Sequence, residues 1–168
     1  CSSDLTGSGC IAITLADEFK NSSVSAVDKS LDALKVATQN AKRIGVSNIA
    51  FFEGSWYEPF MTAKVDENNK FDIIVSNPPY IDPNDPHLAG LTDEPISALI
   101  ADNKGMADIC HIVKTAPQFL QPHGLLAIEH GYDQGEQVRG VFLSNNFGEV
   151  ITVKDYGDNE RVTLGVIN

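Results

Sequence analysis

Short apolar runs alternate with longer amphipathic stretches along most of the chain, the arrangement produced when parallel strands are joined by crossover helices. "VSAV" at 24–27, "IAFF" at 49–52, "FDIIV" at 71–75 and "LLAIE" at 125–129 read as buried strands, because each is a nearly continuous apolar block too short for a helix. Between the first two, Ser30 offers a capping oxygen, Leu31, Leu34, Ala37 and Ala41 recur at helical spacing, and Gly45 provides a stop. That predicts a helix from Ser30 through Arg43. Further helices are predicted over Ile11 to Phe19, from about Met106 to Phe119, and from about Asp133 to Leu143. The end of the chain breaks the alternation: "VITVKDYGDNERVTLGVI" sets two strand-like runs around the turn-rich "DYGDN" with no helix between them, which is a hairpin. The expected class is therefore α/β, with a mostly parallel sheet closed by an antiparallel C-terminal pair. Only Ile81 to Lys104, with prolines at 83, 86 and 95, reads as a long irregular loop, and loops of that length tend to be functional.

Length and composition narrow the picture. With 168 residues, 42% of them hydrophobic, the chain suits one domain over 1–168 built around a single core. No apolar run approaches the roughly 20 residues that a bilayer crossing requires, and no basic-then-apolar leader opens the sequence, so a soluble, cytoplasmic protein without a membrane partner is expected. Cys1, Cys10 and Cys110 form no CxxC pair, and His87, His111, His123 and His130 lack metal-ligand spacing; no metal is expected. Twelve basic against 23 acidic side chains leave a formal charge of -11, which repels phosphate backbones and argues against a nucleic-acid partner. Asp82, Asp85, Asp93 and Glu94 crowd the irregular loop, either as a solvated face or as a dock for a basic partner.

Candidate chemistry begins at "VSNPPYI", residues 75–81. A strand aimed into a core ends there in an amide, two prolines and a phenol. A Pro-Pro pair lacks backbone N–H groups and cannot continue a central strand, so it leaves a rigid stretch offering only acceptors. As a plain Pro-rich turn it would mean nothing more; as a site it suits a substrate that brings N–H donors.

A second constellation lies upstream. "DLTGSGC" at 4–10 precedes a helical run, and a Gly-rich turn at a helix N-terminus lets a ligand approach backbone N–H groups. No Gly-Lys-Ser/Thr ending follows, which removes the P-loop reading. Asp28, about 20 residues further on, ends the next predicted strand, where a carboxylate can accept both hydroxyls of a ribose. "GSWYEPF" at 54–60 follows the third strand to the same sheet edge. There Trp56 offers a flat face for a purine and Ser55 a hydroxyl for a ring nitrogen or amino group, although a buried aromatic with no ligand is the simpler use of a tryptophan. These features together describe a nucleoside pocket.

At this level of detail the chain resembles the HemK/PrmC protein-glutamine N5-methyltransferases. "IVSNPPYI", "DPHL", "EP" followed by "ALIA", "GMADI", "EHG" and "DYGDNERVTLG" match that family's catalytic domain in order and spacing, across nearly the whole sequence. NPPY alone is shared with amino-methyltransferases of DNA, whereas its combination with the other motifs is far more specific. The resemblance implies a seven-stranded, Rossmann-like sheet and S-adenosylmethionine as methyl donor. It also implies, as acceptor, the glutamine of the GGQ tripeptide in bacterial peptide chain release factors. By position, Leu5, Thr6, Gly7, Ser8, Gly9, Asp28, Ser55, Trp56 and Asn77 would bind the cofactor. Asn77, Pro78, Pro79 and Tyr80 would hold the glutamine, with Asn77, Pro78 and Tyr80 carrying the chemistry; Ser55 stands where some relatives have Asp.

Two departures from the family pattern shape the alternatives. The family's Asp-x-Gly-x-Gly-x-Gly loop is one residue short here and lacks its first glycine, which either turns Asp4 to the other face of its strand or tightens the loop. The family's small helical N-terminal domain is not expected, because the sequence opens within the first catalytic strand. Two rivals therefore accompany the leading reading. One is an adenine-N6 DNA methyltransferase, which would need a basic groove. The other is a silent domain that docks a partner but no longer holds cofactor.

Overall fold

The structure, a computed structural model, describes residues 6–61, 70–80 and 105–168, and the chain divides into two compact units, Cys1–Asp66 and Glu67–Asn168. In the first unit, helix α1 (Cys10–Glu18), strand β1 (Val24–Asp28), helix α2 (Leu31–Ile44), strand β2 (Ile49–Glu53) and the single turn α3 (Glu58–Met61) follow one another. β1 and β2 pair in parallel, with Asp28 opposite Glu53, so their carboxyl ends share one edge. The capping signals act as expected: Ser30 Oγ accepts from Ala33 N–H at 3.2 Å, and Gly45 closes α2 at φ 90, a left-handed conformation that suits glycine. Ala12, Ala16, Val24 and Ala26 form the buried centre of this unit.

Two expectations shift here. Leu31 remains 53% exposed while Leu34, Ala37 and Ala41 are buried. Side chains lean toward a helix's N-terminus, so one at the first position leans past the end of the element it would cover. β2 is not the fully buried strand its apolar block predicts, since Ala50 and Glu53 are exposed and Ile49, Phe51 and Phe52 only partly covered.

The second unit contains β3 (Phe71–Ser76), α4 (Ala107–Thr115) with a 3-10 turn at Ala116–Gln118, β4 (Leu120–Glu129), α5 (Gly135–Ser144), β5 (Phe147–Lys154) and β6 (Glu160–Ile167). The helix expected to reach Phe119 tightens at Pro117, which lacks the N–H an α-helix needs in its interior. Strand order is β3-β4-β6-β5; β3 and β4 run parallel, and β6 is antiparallel to both neighbours, as the predicted hairpin requires. β4 starts five residues before the predicted Leu125, because Leu120 pairs with Phe71 ahead of a register shift and Leu125 with Ile73 beyond it. Ile74, Leu126 and Ile128 of this unit's strands and Ile109, Val138 and Phe142 of its helices are buried.

Among the described residues there are six strands in two sheets, β1-β2 and β3-β4-β6-β5, rather than the single sheet of seven that was expected. The predicted first strand, with Leu5, falls outside the described residues. No helix among them is long and apolar enough to cross a membrane.

A buried polar chain explains much of "EHG" and "NERVTLG". His130 and Thr163 are both fully buried; His130 Nδ1 lies 2.8 Å from the Gly131 carbonyl and Nε2 2.9 Å from Thr163 Oγ1. A carbonyl only accepts, so the neutral ring carries its proton on Nδ1 and Nε2 accepts from Thr163. The order then continues outward. Thr163 accepts from Thr152 at 2.9 Å, Thr152 accepts from Arg139 Nη1 at 2.9 Å, and Arg139 also donates to Glu160 Oε1 at 2.9 Å. Protonating Nε2 would turn the Thr163 hydroxyl away from the ring, because both groups would then donate. Burial pushes the imidazole below its ordinary value of 6.5, against the pull of the Gly131 carbonyl and Glu160.

The sign of the pH effect follows. With a depressed folded-state value, His130 contributes stability that is complete above the unfolded value and is lost as pH falls toward the folded one. Chemical denaturation should therefore show stability declining below roughly pH 6.5, and His130→Gln should flatten that slope. An identical slope in the variant would show that other groups govern the acid limb.

Candidate functional site

The glycine loop is built by local geometry. Thr6 N–H reaches the Val27 carbonyl at 3.4 Å, and the chain then turns sharply, Gly9 N–H returning to the Thr6 carbonyl at 2.7 Å. Gly7 and Gly9 take φ of 54 and 86. Gly9 is needed for space as well, since a Cβ there would lie 2.7 Å from Ile13 Cδ1 and 3.1 Å from Ala37 Cβ. α1 then starts with neither a side-chain cap nor an acidic residue in its first turn, so its leading N–H groups retain their capacity and partial positive charge for an anionic group. Asn40 Nδ2 pins the loop by donating to the Ser8 carbonyl at 2.9 Å.

Asp28, 2% exposed, is the anchor of this set. Its Oδ2 accepts from Gly7 N–H at 2.8 Å and its Oδ1 from Ser30 N–H at 2.8 Å. Each carboxylate oxygen keeps a further lone pair, so the two backbone bonds orient the group and leave capacity for hydroxyl donors. At the end of β2, Glu58 accepts from Ser55 N–H at 2.9 Å while Glu58 N–H donates to the Ser55 carbonyl at 2.9 Å. This reciprocal turn sets Trp56 at φ 50, and Gly54 N–H ties it to the Asp28 carbonyl at 3.1 Å. Lys29 Nζ sits 5.7 Å from the Trp56 ring centroid, within cation–π range.

In the second unit, Asn77 to Tyr80 leave the carboxyl end of β3, and Glu129, His130 and Gly131 leave that of its parallel neighbour β4. Pro78 and Pro79 are buried, and Asn77 and Tyr80 are half-buried. Among the described residues no hydrogen bond engages the Asn77 carboxamide or the Pro78 carbonyl. Ser76 Oγ, just before them, is buried and has no hydrogen-bond partner among those residues. Tyr80, by contrast, is tethered. Its hydroxyl reaches Glu129 Oε1 at a long 3.4 Å, and its carbonyl accepts from Gln134 Nε2 at 2.9 Å. The hairpin backs this corner: His130 N–H donates to the Arg161 carbonyl at 2.9 Å, and the Arg161 guanidinium donates to Asp155 at 2.9 Å. Arg161, with the N–H groups of Asn159 and Gly157, holds the Asp155 carboxyl down to about 2.

Of the predicted site residues, the first unit brings Thr6, Gly7, Ser8 and Gly9 together with Asp28, and sets Ser55 and Trp56 on the same strand edge. The second unit holds Asn77, Pro78, Pro79 and Tyr80 in one segment. Leu5 and the acidic segment from Asp82 to Glu94 lie outside the described residues. Sequence reasoning missed Glu129 and Gln134 as partners of Tyr80. Glu129 could have been found, since it ends the strand next to the one that delivers Asn77, where ligands gather in parallel sheets.

Residues 5–158 match a family model described as "Methyltransferase domain". Proteins named "Release factor glutamine methyltransferase" from Salmonella typhimurium and Escherichia coli K12 are 46% and 43% identical over 162 residues. In each case 95% of this chain aligns with 56% of the relative. The one from Vibrio cholerae is 45% identical, at 95% and 55%. The chain thus spans about half the length of the curated relatives it matches. Among solved structures, a methyltransferase from Pyrococcus furiosus superposes with a TM-score of 0.70 at 17% identity, over 98% of this chain and 73% of that one. A ribosomal protein L11 methylase from Lactobacillus delbrueckii gives 0.67 at 21%, over 99% and 69%.

Proposed function

The chain belongs to the methyltransferase-domain family, and from that premise we propose that it transfers the methyl group of S-adenosylmethionine to N5 of a glutamine side chain, the one in the GGQ tripeptide of a bacterial peptide chain release factor. The observation that carries this reading is the segment Asn77 to Tyr80. It is rigid, it follows a parallel strand, and it has an amide oxygen and a carbonyl uncommitted among the described residues. The names of the curated relatives support the choice of glutamine over a nucleobase. We extend the proposal to the family's seven-stranded sheet, for which the Thr6 to Val27 hydrogen bond is the local support.

The first unit suits the donor. Uncapped N–H groups at α1 match a carboxylate, Asp28 matches a pair of hydroxyls, and Trp56 with Ser55 matches a purine. When bound, S-adenosylmethionine supplies an electrophilic methyl on a sulfonium. An amide nitrogen is a poor nucleophile because its lone pair is delocalised into the carbonyl. Asn77 Oδ1 and the Pro78 carbonyl each accept one N–H of the glutamine, which fixes the nitrogen and directs its lone pair. Tyr80 covers the flat amide and excludes water. No strong base is required, since the methylated nitrogen carries positive charge and readily loses a proton to solvent.

The test is direct. Incubated with S-adenosylmethionine and a release factor, the chain should add one methyl to the GGQ glutamine, read by mass spectrometry of the loop peptide. It should leave duplex DNA unmodified and unshifted in a low-salt gel. Calorimetric titration with S-adenosylmethionine should give heat. Methylated adenine would favour the DNA reading, and a heatless titration the silent domain.

A further inference from the structure

We propose that Gln134 is a positioning residue for the acceptor segment: its carboxamide holds the Tyr80 carbonyl and thereby sets where Asn77 and Pro78 present their oxygens. This rests on the functional reading above. Gln134 is 7% exposed, and both ends of its amide are used. Nε2 donates to the Tyr80 carbonyl at 2.9 Å, and Oε1 accepts from Gly131 N–H at 2.8 Å. Rotating the amide by half a turn would face oxygen with oxygen and N–H with N–H, so the orientation is fixed by its partners.

The clamp has a rigid base. Gln134 is the N-cap of α5; its N–H donates to the Gly131 carbonyl at 3.0 Å, and its carbonyl accepts from Val138 N–H at 3.0 Å. On the other side, Gly105 takes φ 76 with its backbone against the same Tyr80 carbonyl. A Cβ there would overlap that oxygen and lie 2.7 Å from Gln134 Nε2. The Tyr80 carbonyl is thus enclosed by residues from two separate elements. This also accounts for the glycine of "GMADI" by geometry.

The displacement propagates because of what lies between. Pro78 and Pro79 have fixed φ, which leaves few torsions to absorb a shift at Tyr80 before it reaches the Pro78 carbonyl and Asn77. Misplaced acceptors slow a reaction that depends on aligning a lone pair. A purely structural Gln134 would matter only to α5.

Two variants separate these roles: Gln134→Met fills the space without donor or acceptor, and Gln134→Glu keeps the shape but sets an anion against the carbonyl. Each should lower kcat for the release factor on the order of tenfold, the equivalent of one lost hydrogen bond. KM and the calorimetric dissociation constant for S-adenosylmethionine should stay within about twofold, because the loss is felt in the transition state. In parallel, the chain is labelled with 3-fluorotyrosine and its Tyr80 resonance assigned by Tyr80→Phe; that signal should shift or broaden in Gln134→Met. An unmoved Tyr80 signal overturns the inference, as does a moved signal with unchanged kcat, or a kcat loss matched by equal loss of cofactor binding. If the unmutated chain transfers no methyl to the release factor, the functional reading falls by itself, and the fluorine spectra still decide whether Gln134 positions Tyr80.

Discussion

Asn77→Ala should reduce methyl transfer to a release factor on the order of 100-fold or more, while the thermal unfolding midpoint stays near that of the unmutated chain. The two halves of this expectation come from separate features. The carboxamide is half-buried and has no hydrogen bond among the described residues, so truncating it removes little that the fold depends on. In the proposed reaction the same lack of commitment leaves it able to accept the substrate N–H, and the loss of a preorganised contact is felt mainly in the rate. Asn77→Asp keeps an acceptor oxygen, so it should retain more activity than alanine. Single-turnover measurements with saturating S-adenosylmethionine isolate the chemical step. Normal transfer by Asn77→Ala would remove the residue from the mechanism, and a collapsed melting curve would assign it to the scaffold instead.

How far such a site can be read from sequence depends on the range of the interactions that build it. β1, β3 and the C-terminal hairpin were legible as strands because short apolar blocks and a polar turn record local environment, although Asp72 and Ile73 of β3 are exposed where its block predicts burial. Ser30 and Gly45 were legible for the same reason, as caps act over three or four residues. The early start of β4 was not, since it depends on a register shift at Gln121 to Gly124 that only pairing with β3 defines. Gln134 was hidden more completely. On sequence it is an ordinary residue in the first turn of the helix predicted from about Asp133, whereas the helix starts at Gly135 with Gln134 as its cap, and its partner Tyr80 is 54 positions away. The Pro-Pro pair announces that a backbone has been made rigid; what fixes that rigid piece in space is long-range.

Asp28→Asn should weaken binding of S-adenosylmethionine on the order of 100-fold and also loosen the glycine loop, an effect larger than the loss of a formal charge alone explains. The carboxylate is buried and accepts one backbone N–H on each oxygen, from Gly7 and from Ser30. Asparagine has one acceptor oxygen and one NH2, so whichever way it turns, one of those N–H groups meets a donor. Leaving a buried donor unpaired costs about 1–3 kcal/mol, taken from the loop or from the start of α2. In the proposed role the ribose hydroxyls would lose a charged acceptor at the same time, and hydrogen bonds to a charged group are worth about 1.5–3 kcal/mol each, so the loss of one or both accounts for the expected factor. Asp28→Ala removes the acceptors without adding a donor. Because it leaves both the Gly7 and the Ser30 N–H unpaired where asparagine still satisfies one, alanine should bind cofactor at least as poorly as asparagine and unfold earlier. Calorimetry on both variants, with hydrogen exchange at Gly7 and Ser30, reads the two effects separately. Cofactor binding that survives in both would mean that Asp28 holds only the loop, and the hydroxyl-binding role would have to move elsewhere in the first unit.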